Sequence, residues 1–258
     1  MSVKSKFKTA RSVLQKEGTF TFLQKAYGYC LNAAFAQFLR LPICFIKARS
    51  AKSKELNYLI DFAFHGCRGY FAPWQVKSEI SSLLNFVASE KPKTLMEIGT
   101  ARGGTLMLFA KALPEDSLII SLDLPAGDFG AGYPFWKIFL YKSFARGRQT
   151  IRLVRKDSHS VETQKRIKSI LNNRPIDFLF IDGDHTYEGV KKDFELYSPL
   201  VREGGIVAFH DVVPHNKPGS RVKINKFWNE IKNKYDYKEF VENWGQNWAG
   251  IGLIRFKG

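Results

Sequence analysis

The chain has 258 residues, of which 45% are hydrophobic and 14% aromatic, and it carries a formal net charge of +16 at pH 7. This length suits one large α/β domain with an appendage, and the positive charge favours an anionic partner such as nucleic acid, a membrane surface or an acidic substrate. No run reaches about 18 apolar residues, and the cysteines show neither metal nor disulfide spacing, so the sequence predicts no membrane-spanning helix and no disulfide framework. We therefore expect a reduced, cytoplasmic protein.

Much of the positive charge lies near the N-terminus. Residues 1–55 contain eleven Lys and Arg against two Glu, and their apolar residues follow a helical spacing. We predict a basic amphipathic helical extension over 1–55 and a separate domain over 56–258. The extension is compatible with a helix packed on the main domain or with a helix on the anionic inner face of a membrane. Nucleic acid is disfavoured, because no recognised binding motif accompanies the charge.

From about residue 75 onward, short apolar runs alternate with helical patterns. Strands are predicted at 94–100, 117–125, 150–158, 176–184, 204–211 and 248–256. Helices are predicted at 76–88, 103–113, 132–145, 161–171, 187–201 and 223–235. This alternation predicts a doubly wound, mostly parallel sheet, in which ligands bind at the carboxyl ends of the strands.

The first two strands end in residues that suit an adenosyl cofactor. In "MEIGTARGGT", Glu97 lies at the strand end and Gly99 follows it, but Ala101 occupies the second glycine position of a dinucleotide fingerprint. Asp123 ends the next strand about 24 residues after Gly99, where a carboxylate can accept from both hydroxyls of a ribose. Glu97 is also compatible with a helix cap, and Asp123 with a turn.

The third strand ends in "RKDSHS". Asp157, Ser158 and His159 are candidates for contact with an adenine edge, because their side chains offer both donors and acceptors. The alternative is a simple helix start, with Ser160 as the capping residue.

The fourth and fifth strands end in clustered ionisable residues, which are Asp182, Asp184, His185, His210 and Asp211. Neighbouring strand ends would bring these side chains within reach of one another. Carboxylates with water suit Mg²⁺, whereas added imidazole shifts the preference toward transition metals. Asp184 and His185 are also compatible with capping of the following helix.

The segments "LMEIGTARGGT", "SLDLP", "DSHS" and "IDFLFIDGDHTYEGVKKDFELYSPLVREGGIVAFHDV" together resemble a class I S-adenosylmethionine-dependent methyltransferase. They are most similar to the branch that contains macrocin-type sugar O-methyltransferases and cephalosporin-hydroxylase-like proteins. The resemblance covers roughly residues 69–256, and 176–212 is its most specific part. It implies a Rossmann-like fold with a mostly parallel, seven-stranded sheet.

The resemblance also implies roles for individual positions. It implies that Glu97, Gly99, Ala101 and Thr105 hold the methionine end of the cofactor. It also implies that Asp123 binds the ribose and that Ser158 and His159, beside Asp157, contact the adenine.

On the acceptor side, Asp182 and Asp211 match metal-ligating aspartates, and His185 matches a general base. His210 stands where relatives usually carry an acid, so it joins the candidate metal ligands while the presence and identity of the metal are left open.

Two aromatic segments are candidates for covering the site. The basic, glycine-hinged segment 126–149 fits either a lid that binds an anionic sugar substituent through Arg146 or Arg148, or a buried crossover helix. In 69–75, Trp74 fits either a cover over the cofactor sulfonium or ordinary core packing.

The predicted function is S-adenosylmethionine-dependent O-methylation of a hydroxyl on a sugar, glycan or related small molecule, assisted by Mg²⁺ and with His185 as base. The alternative is a non-catalytic or differently specific cofactor-binding protein of cell-surface glycan assembly. Expected partners are the acceptor, an anionic membrane surface contacted by residues 1–55, and a second copy of the chain, but not nucleic acid.

Overall fold

The structure is a computed structural model, and it describes residues 39–51, 55–125, 129 and 132–257. Phe45–Gly258 forms one compact unit. Most of the predicted N-terminal extension lies outside the described residues, so its membrane contact and the boundary at 55/56 stay predictions. Among the helices that are described, none combines the length and the apolar character needed to span a bilayer.

The core of the fold is a seven-stranded sheet with the order β3-β2-β1-β4-β5-β7-β6. The strands are β1 (Thr94–Ile98), β2 (Leu118–Asp123), β3 (Thr150–Arg155), β4 (Ile176–Ile181), β5 (Val201–His210), β6 (Asp236–Phe240) and β7 (Ile251–Arg255). β1 to β5 pair in parallel, and β7 runs antiparallel to both β5 and β6. The predicted doubly wound, mostly parallel sheet is confirmed.

Residues 39–51 are helical and are called α1. The helices that flank the sheet are α2 (Leu56–His65), α3 (Lys77–Glu90), α4 (Gly104–Ala112), α5 (Ile138–Lys142), α6 (Val161–Leu171), α7 (Tyr187–Tyr197) and α8 (Ile224–Ile231). The helix predicted over 132–145 is much shorter in the structure, because a 3-10 turn at Phe135–Lys137 precedes α5. Pro134, which has no backbone N–H, stands directly before that turn.

The central strands are buried on both faces, which explains their continuous apolar runs. Every residue of β1 is buried, Glu97 included. One large hydrophobic cluster joins β1, β2, β4 and β5 to α6, α7 and α8, with Trp228 as its largest side chain. Since burying each such side chain stabilises the fold by about 1.5–3 kcal/mol, this cluster holds the carboxyl ends of the strands in fixed positions.

Candidate functional site

The ends of β1 and β4 touch at a glycine. Gly99 has φ +89°, and a Cβ atom there would lie 2.0 Å from the backbone oxygen of Asp182. The backbone N–H of Gly99 donates to Leu122 (2.8 Å), and that of Asp182 donates to Ile98 (2.8 Å). Only glycine fits this crossing, which brings the turns after β1, β2 and β4 together.

A first cavity of about 400 Å³ opens at this edge of the sheet. Six of the eight predicted cofactor-binding residues line it, namely Gly99, Ala101, Asp123, Asp157, Ser158 and His159. Of the other two, Glu97 lies within the sheet and Thr105 lines a second cavity. The sequence-predicted residues are thus largely brought together, while their individual roles stay predictions.

Asp123 faces the first cavity and is held by the glycine-rich turn. Its Oδ2 accepts from the backbone N–H of Ala101 at 2.9 Å. Ala101 has φ +44°, the left-handed conformation that favours the glycine usual at this position. The hydroxyl of Tyr141 donates to the Ala101 carbonyl (3.0 Å) and so supports the turn. Burial raises the pKa of Asp123 to about 6, although backbone N–H groups partly oppose this.

Glu97 is fully buried in β1. Its Oε2 accepts from the Thr100 hydroxyl at 2.9 Å, and that hydroxyl also lies 2.6 Å from the Ser121 hydroxyl. Among the described residues Oε1 has no hydrogen-bond partner. Burial raises the pKa of Glu97 well above its usual value. Its predicted contact with the methionine end of a cofactor stays a prediction.

The imidazole of His159 contacts α7. Its Nε2 lies 3.2 Å from the Gly189 carbonyl and 3.3 Å from Asp193 Oδ1. A hydrogen bond with Asp193 raises the pKa of His159. The backbone N–H of His159 donates to Asp157 Oδ1 (2.9 Å). Ser160 is the capping residue of α6 but makes no side-chain cap hydrogen bond.

A second cavity of about 390 Å³ adjoins the first. Both cavities are lined by Gly99, Ala101, Phe129 and Asp182. Beyond these, the second cavity holds the histidines of the predicted cluster and two exposed tryptophans. Asp182 therefore lies at the junction of the two cavities.

Asp211 organises the polar wall of the second cavity. Its Oδ2 lies 2.5 Å from His185 Nδ1, and its Oδ1 lies 2.9 Å both from His215 Nε2 and from the Ala249 backbone N–H. Burial opposes ionisation, but the positive charge of His210 and the hydrogen bonds from the other two imidazoles outweigh it and hold the pKa of Asp211 well below its usual value. Asp211 is therefore an acceptor, and His185 Nδ1 carries a proton.

Asp182 is bound from two sides. Gln75 Nε2 donates to its Oδ2 at 3.0 Å, while His210 Nδ1 lies 3.1 Å and His185 Nε2 lies 3.8 Å from its Oδ1. Burial lowers the pKa of His210, but the charges of Asp182 and Asp211 outweigh it and raise that pKa to about 9.

The predicted metal ligands were Asp182, His210 and Asp211. In the described part of the chain, the ligand atoms that lie within 4.8 Å of one another belong to Asp182, His185 and Asp211. His210 is a neighbour of this group, and the metal prediction as such is untested. Asp211 accepts three hydrogen bonds, whereas the hydrogen bond from Gln75 engages only Oδ2 of Asp182.

Other candidates have structural roles. Arg146, predicted as an anion-binding residue of a lid, donates to the carbonyls of Ala110, Lys111 and Leu113 at the end of α4. Part of the predicted lid segment, 126–149, lies outside the described residues. Asp184 Oδ1 accepts from the Thr186 backbone N–H at 2.9 Å, which supports its interpretation as a local turn residue.

Sequence reasoning missed several residues of the site. Gln75 directly follows the predicted Trp74, and His215 lies four residues after Asp211, but neither residue belonged to a recognised motif. Phe129 packs against His185 with ring centroids 5.0 Å apart and an interplanar angle of 37°. The carboxylate of Glu79 in α3 anchors the loop after β6, which no sequence signal indicated.

Comparison with known proteins found similarity to methyltransferases. Residues 96–212 match the family model described as "Methyltransferase domain". A flavonoid 3′,5′-methyltransferase of Vitis vinifera is 31% identical over 134 residues, 52% of this chain and 52% of that protein. A rhamnosyl O-methyltransferase of Mycobacterium tuberculosis is 22% identical over 184 residues, 66% of this chain and 69% of that protein.

The fold is shared with solved structures. That of the O-methyltransferase from Bacillus cereus in complex with SAH superimposes with a TM-score of 0.53 at 18% identity, covering 79% of this chain and 92% of the other. The chain spans 13%, 34% and 52% of the length of three curated relatives that it matches.

Proposed function

We propose that this chain is a class I S-adenosylmethionine-dependent methyltransferase that methylates a hydroxyl of a sugar, glycan or related small molecule. The observation that carries the proposal is the meeting of the two cavities at Asp182, with the His185–Asp211 pair on the acceptor side. A donor and an acceptor held in adjoining cavities gain the rate advantage of proximity and alignment.

The first cavity fits the cofactor. Asp123 offers a carboxylate where a ribose diol needs acceptors, and the Gly99 crossing keeps the floor free of side chains. When bound, S-adenosylmethionine supplies a methyl group on a positively charged sulfur. The protein must then align an acceptor hydroxyl and remove its proton.

His185 is placed to take that proton. Its Nδ1 donates to Asp211, so Nε2 is the acceptor nitrogen and belongs to the wall of the second cavity. Burial lowers the pKa of His185, but Asp211 and Asp182 outweigh it and raise that pKa, which stabilises the imidazolium formed by proton transfer. Such a positioned base contributes about 10²–10⁴-fold to the rate.

The acceptor surface is aromatic and basic. Trp74 and Trp248 are 60% and 41% exposed in the second cavity, and the Arg102 guanidinium lies 5.7 Å from the Trp74 ring centroid. Flat apolar faces beside polar groups suit a hydroxylated ring. The rhamnosyl relative supports a sugar, whereas the flavonoid relative supports a phenolic hydroxyl. The buried imidazole favours the sugar, because an aliphatic hydroxyl needs a base more than a phenol does.

Replacing His185 with Ala tests the proposal. We expect S-adenosylmethionine affinity, measured by calorimetric titration, to stay the same, while turnover of a methylated acceptor falls by about 10²–10⁴-fold. His65→Ala, at an exposed position in α2, is the matched control and should keep full turnover. Unchanged turnover in His185→Ala would exclude His185 as the base. Cofactor binding without methylation of any hydroxylated acceptor would favour the non-catalytic alternative.

The basic extension would hold the enzyme at an anionic membrane face where lipid-linked glycans are made. Eleven cations against two acids in residues 1–55 support this. Full-length protein should co-sediment with anionic vesicles more than with neutral ones, and deletion of residues 1–55 should abolish the difference. Equal sedimentation of the shortened chain would contradict the membrane role.

A further inference from the structure

We infer that the polar centre where the two cavities meet works without a divalent cation, and that His210 and His215 make the contacts that a cation would otherwise make. The inference rests on the proposed methylation of a hydroxyl. It is carried by the hydrogen bonds of the two carboxylates, each of which already faces nitrogen atoms of the protein.

Asp211 has little capacity left for a metal. Its two oxygens accept from His185 Nδ1 at 2.5 Å, His215 Nε2 at 2.9 Å and the Ala249 N–H at 2.9 Å. A carboxylate has about four acceptor sites, and His210 Nδ1 approaches the same carboxylate at 3.5 Å. Mg²⁺ demands oxygen ligands at about 2.0–2.1 Å in octahedral geometry, so it could bind only after several of these contacts break.

Asp182 is engaged by one hydrogen bond and one ion pair. Gln75 Nε2 binds Oδ2, and His210 Nδ1 lies 3.1 Å from Oδ1. His210 is only 3% exposed and lies near both carboxylates, 3.1 Å from Asp182 and 3.5 Å from Asp211. His210 Nδ1 therefore lies close to an oxygen of each carboxylate, where it would compete with a bridging ion for both.

His185 cannot serve both as base and as ligand. Its Nδ1 is committed to Asp211, which leaves only Nε2. A metal ligand must offer the same lone pair that a base uses to accept a proton. If Nε2 accepts the hydroxyl proton, the group formed by Asp182, His185 and Asp211 is reduced to two carboxylates, of which Asp211 already accepts three hydrogen bonds.

The test is a metal titration of the full-length protein, followed by methylation assays. We expect no saturable heat with Mg²⁺ or Mn²⁺, with or without S-adenosylmethionine, and no stoichiometric metal by elemental analysis. Turnover should not fall in excess EDTA. Saturable binding by the wild-type protein, or turnover lost in EDTA and restored by Mg²⁺, would overturn the inference.

The variant His210→Asp tests whether the imidazole is what excludes the metal. Replacing the imidazole with a carboxylate removes a competing donor and adds two oxygens, so this variant should gain saturable Mg²⁺ binding. His215→Ala, which removes one of the two hydrogen bonds to Asp211 Oδ1, is a second variant in case the first does not fold. If a folded variant and the wild type both fail to bind metal, His210 and His215 are not what excludes it.

The titration also separates this inference from the proposed function. Metal binding is measured without an acceptor, so the outcome stands even if no acceptor is found. Failure of S-adenosylmethionine to bind the folded protein would count against the proposed function while leaving the metal result intact.

Discussion

Replacing Asp123 with Asn tests whether the protein is destabilised by the carboxylate that it holds in the first cavity. Burial raises the pKa of Asp123 from 3.8 to about 6. A shift of about two units at about 1.4 kcal/mol per unit corresponds to roughly 3 kcal/mol at neutral pH, an upper bound because the side chain retains some contact with solvent. Asn keeps the shape without the charge, so the cofactor-free variant should be more stable than the wild type by about 1–3 kcal/mol.

The sign of the pH dependence follows from proton binding. The folded protein keeps the proton on Asp123 up to about pH 6, whereas the unfolded chain releases it near 3.8. The stabilisation that this proton provides is complete below the unfolded pKa and is lost as the pH rises through the folded pKa. The stability difference between variant and wild type should therefore grow between those two pKa values and stay constant above them. Urea unfolding at steps from about pH 4 to about pH 8, without cofactor, measures it.

The same substitution should weaken S-adenosylmethionine binding by about 10–100-fold, because an amide offers one acceptor oxygen where the carboxylate offers two. Asp116→Asn is the matched control: Asp116 is exposed, and the ion pair with Lys93 lowers its pKa, so its removal should give no gain in stability. Identical pH profiles for wild type and Asp123→Asn would refute the buried, high-pKa carboxylate.

Two further substitutions test buried anchors. Glu79→Gln should lower the free energy of unfolding, measured by urea titration, by about 1–3 kcal/mol. The reason is that the Glu79 carboxylate accepts from the N–H groups of residues 242 and 250 and from a glutamine side chain. Glu195→Gln, at an exposed position, is the control and should have no effect in the same titration. Arg146→Ala should lower the free energy of unfolding by about 2–3 kcal/mol, because it removes hydrogen bonds to three carbonyls at the C-terminal end of α4. Arg148→Ala should change stability by less than about 0.5 kcal/mol, and an equal loss in both arginine variants would contradict the structural role of Arg146.

The sequence predicted most of the sheet because its central strands are buried on both faces. Residues 94–98 and 176–181 are mostly apolar runs of strand length with a glycine one or two residues after their ends, a pattern with few alternative interpretations. β6, "DYKEF", was missed because it is a polar edge strand that is mostly exposed, and its pairing with β7 depends on contacts distant in sequence. The helix over 132–145 was overestimated because its aromatic residues pack around a 3-10 turn rather than along one helical face.

The sequence predicted those residues of the candidate site that lie at the carboxyl ends of the parallel strands. Asp123, Asp182 and Asp211 each end a parallel strand or follow it directly, so topology alone places them at one edge of the sheet. Gln75 and His215 could not be found in this way, since they reach the centre from loops whose course is fixed by tertiary packing. The partners of Asp211 likewise depend on its own backbone, which has φ +59°.

Residues whose local conformation or burial lowers the stability of the fold are concentrated at this edge of the sheet. Ala101 and Asp211 both adopt left-handed backbone conformations, each of which costs about 1–2 kcal/mol in a residue with a side chain. Glu97 and Asp123 are carboxyl groups whose pKa values burial raises. Such groups persist because the cluster around Trp228 and the Phe109 contacts with β4 supply stability elsewhere. Backbone strain and buried carboxyl groups lower stability, so they are uncommon in a purely structural turn. They are expected at a site that binds ligands. Relief of that strain by Ala101→Gly, or of that desolvation by Asp123→Asn, should therefore stabilise the free protein, and the Asn variant should do so at the expense of ligand binding.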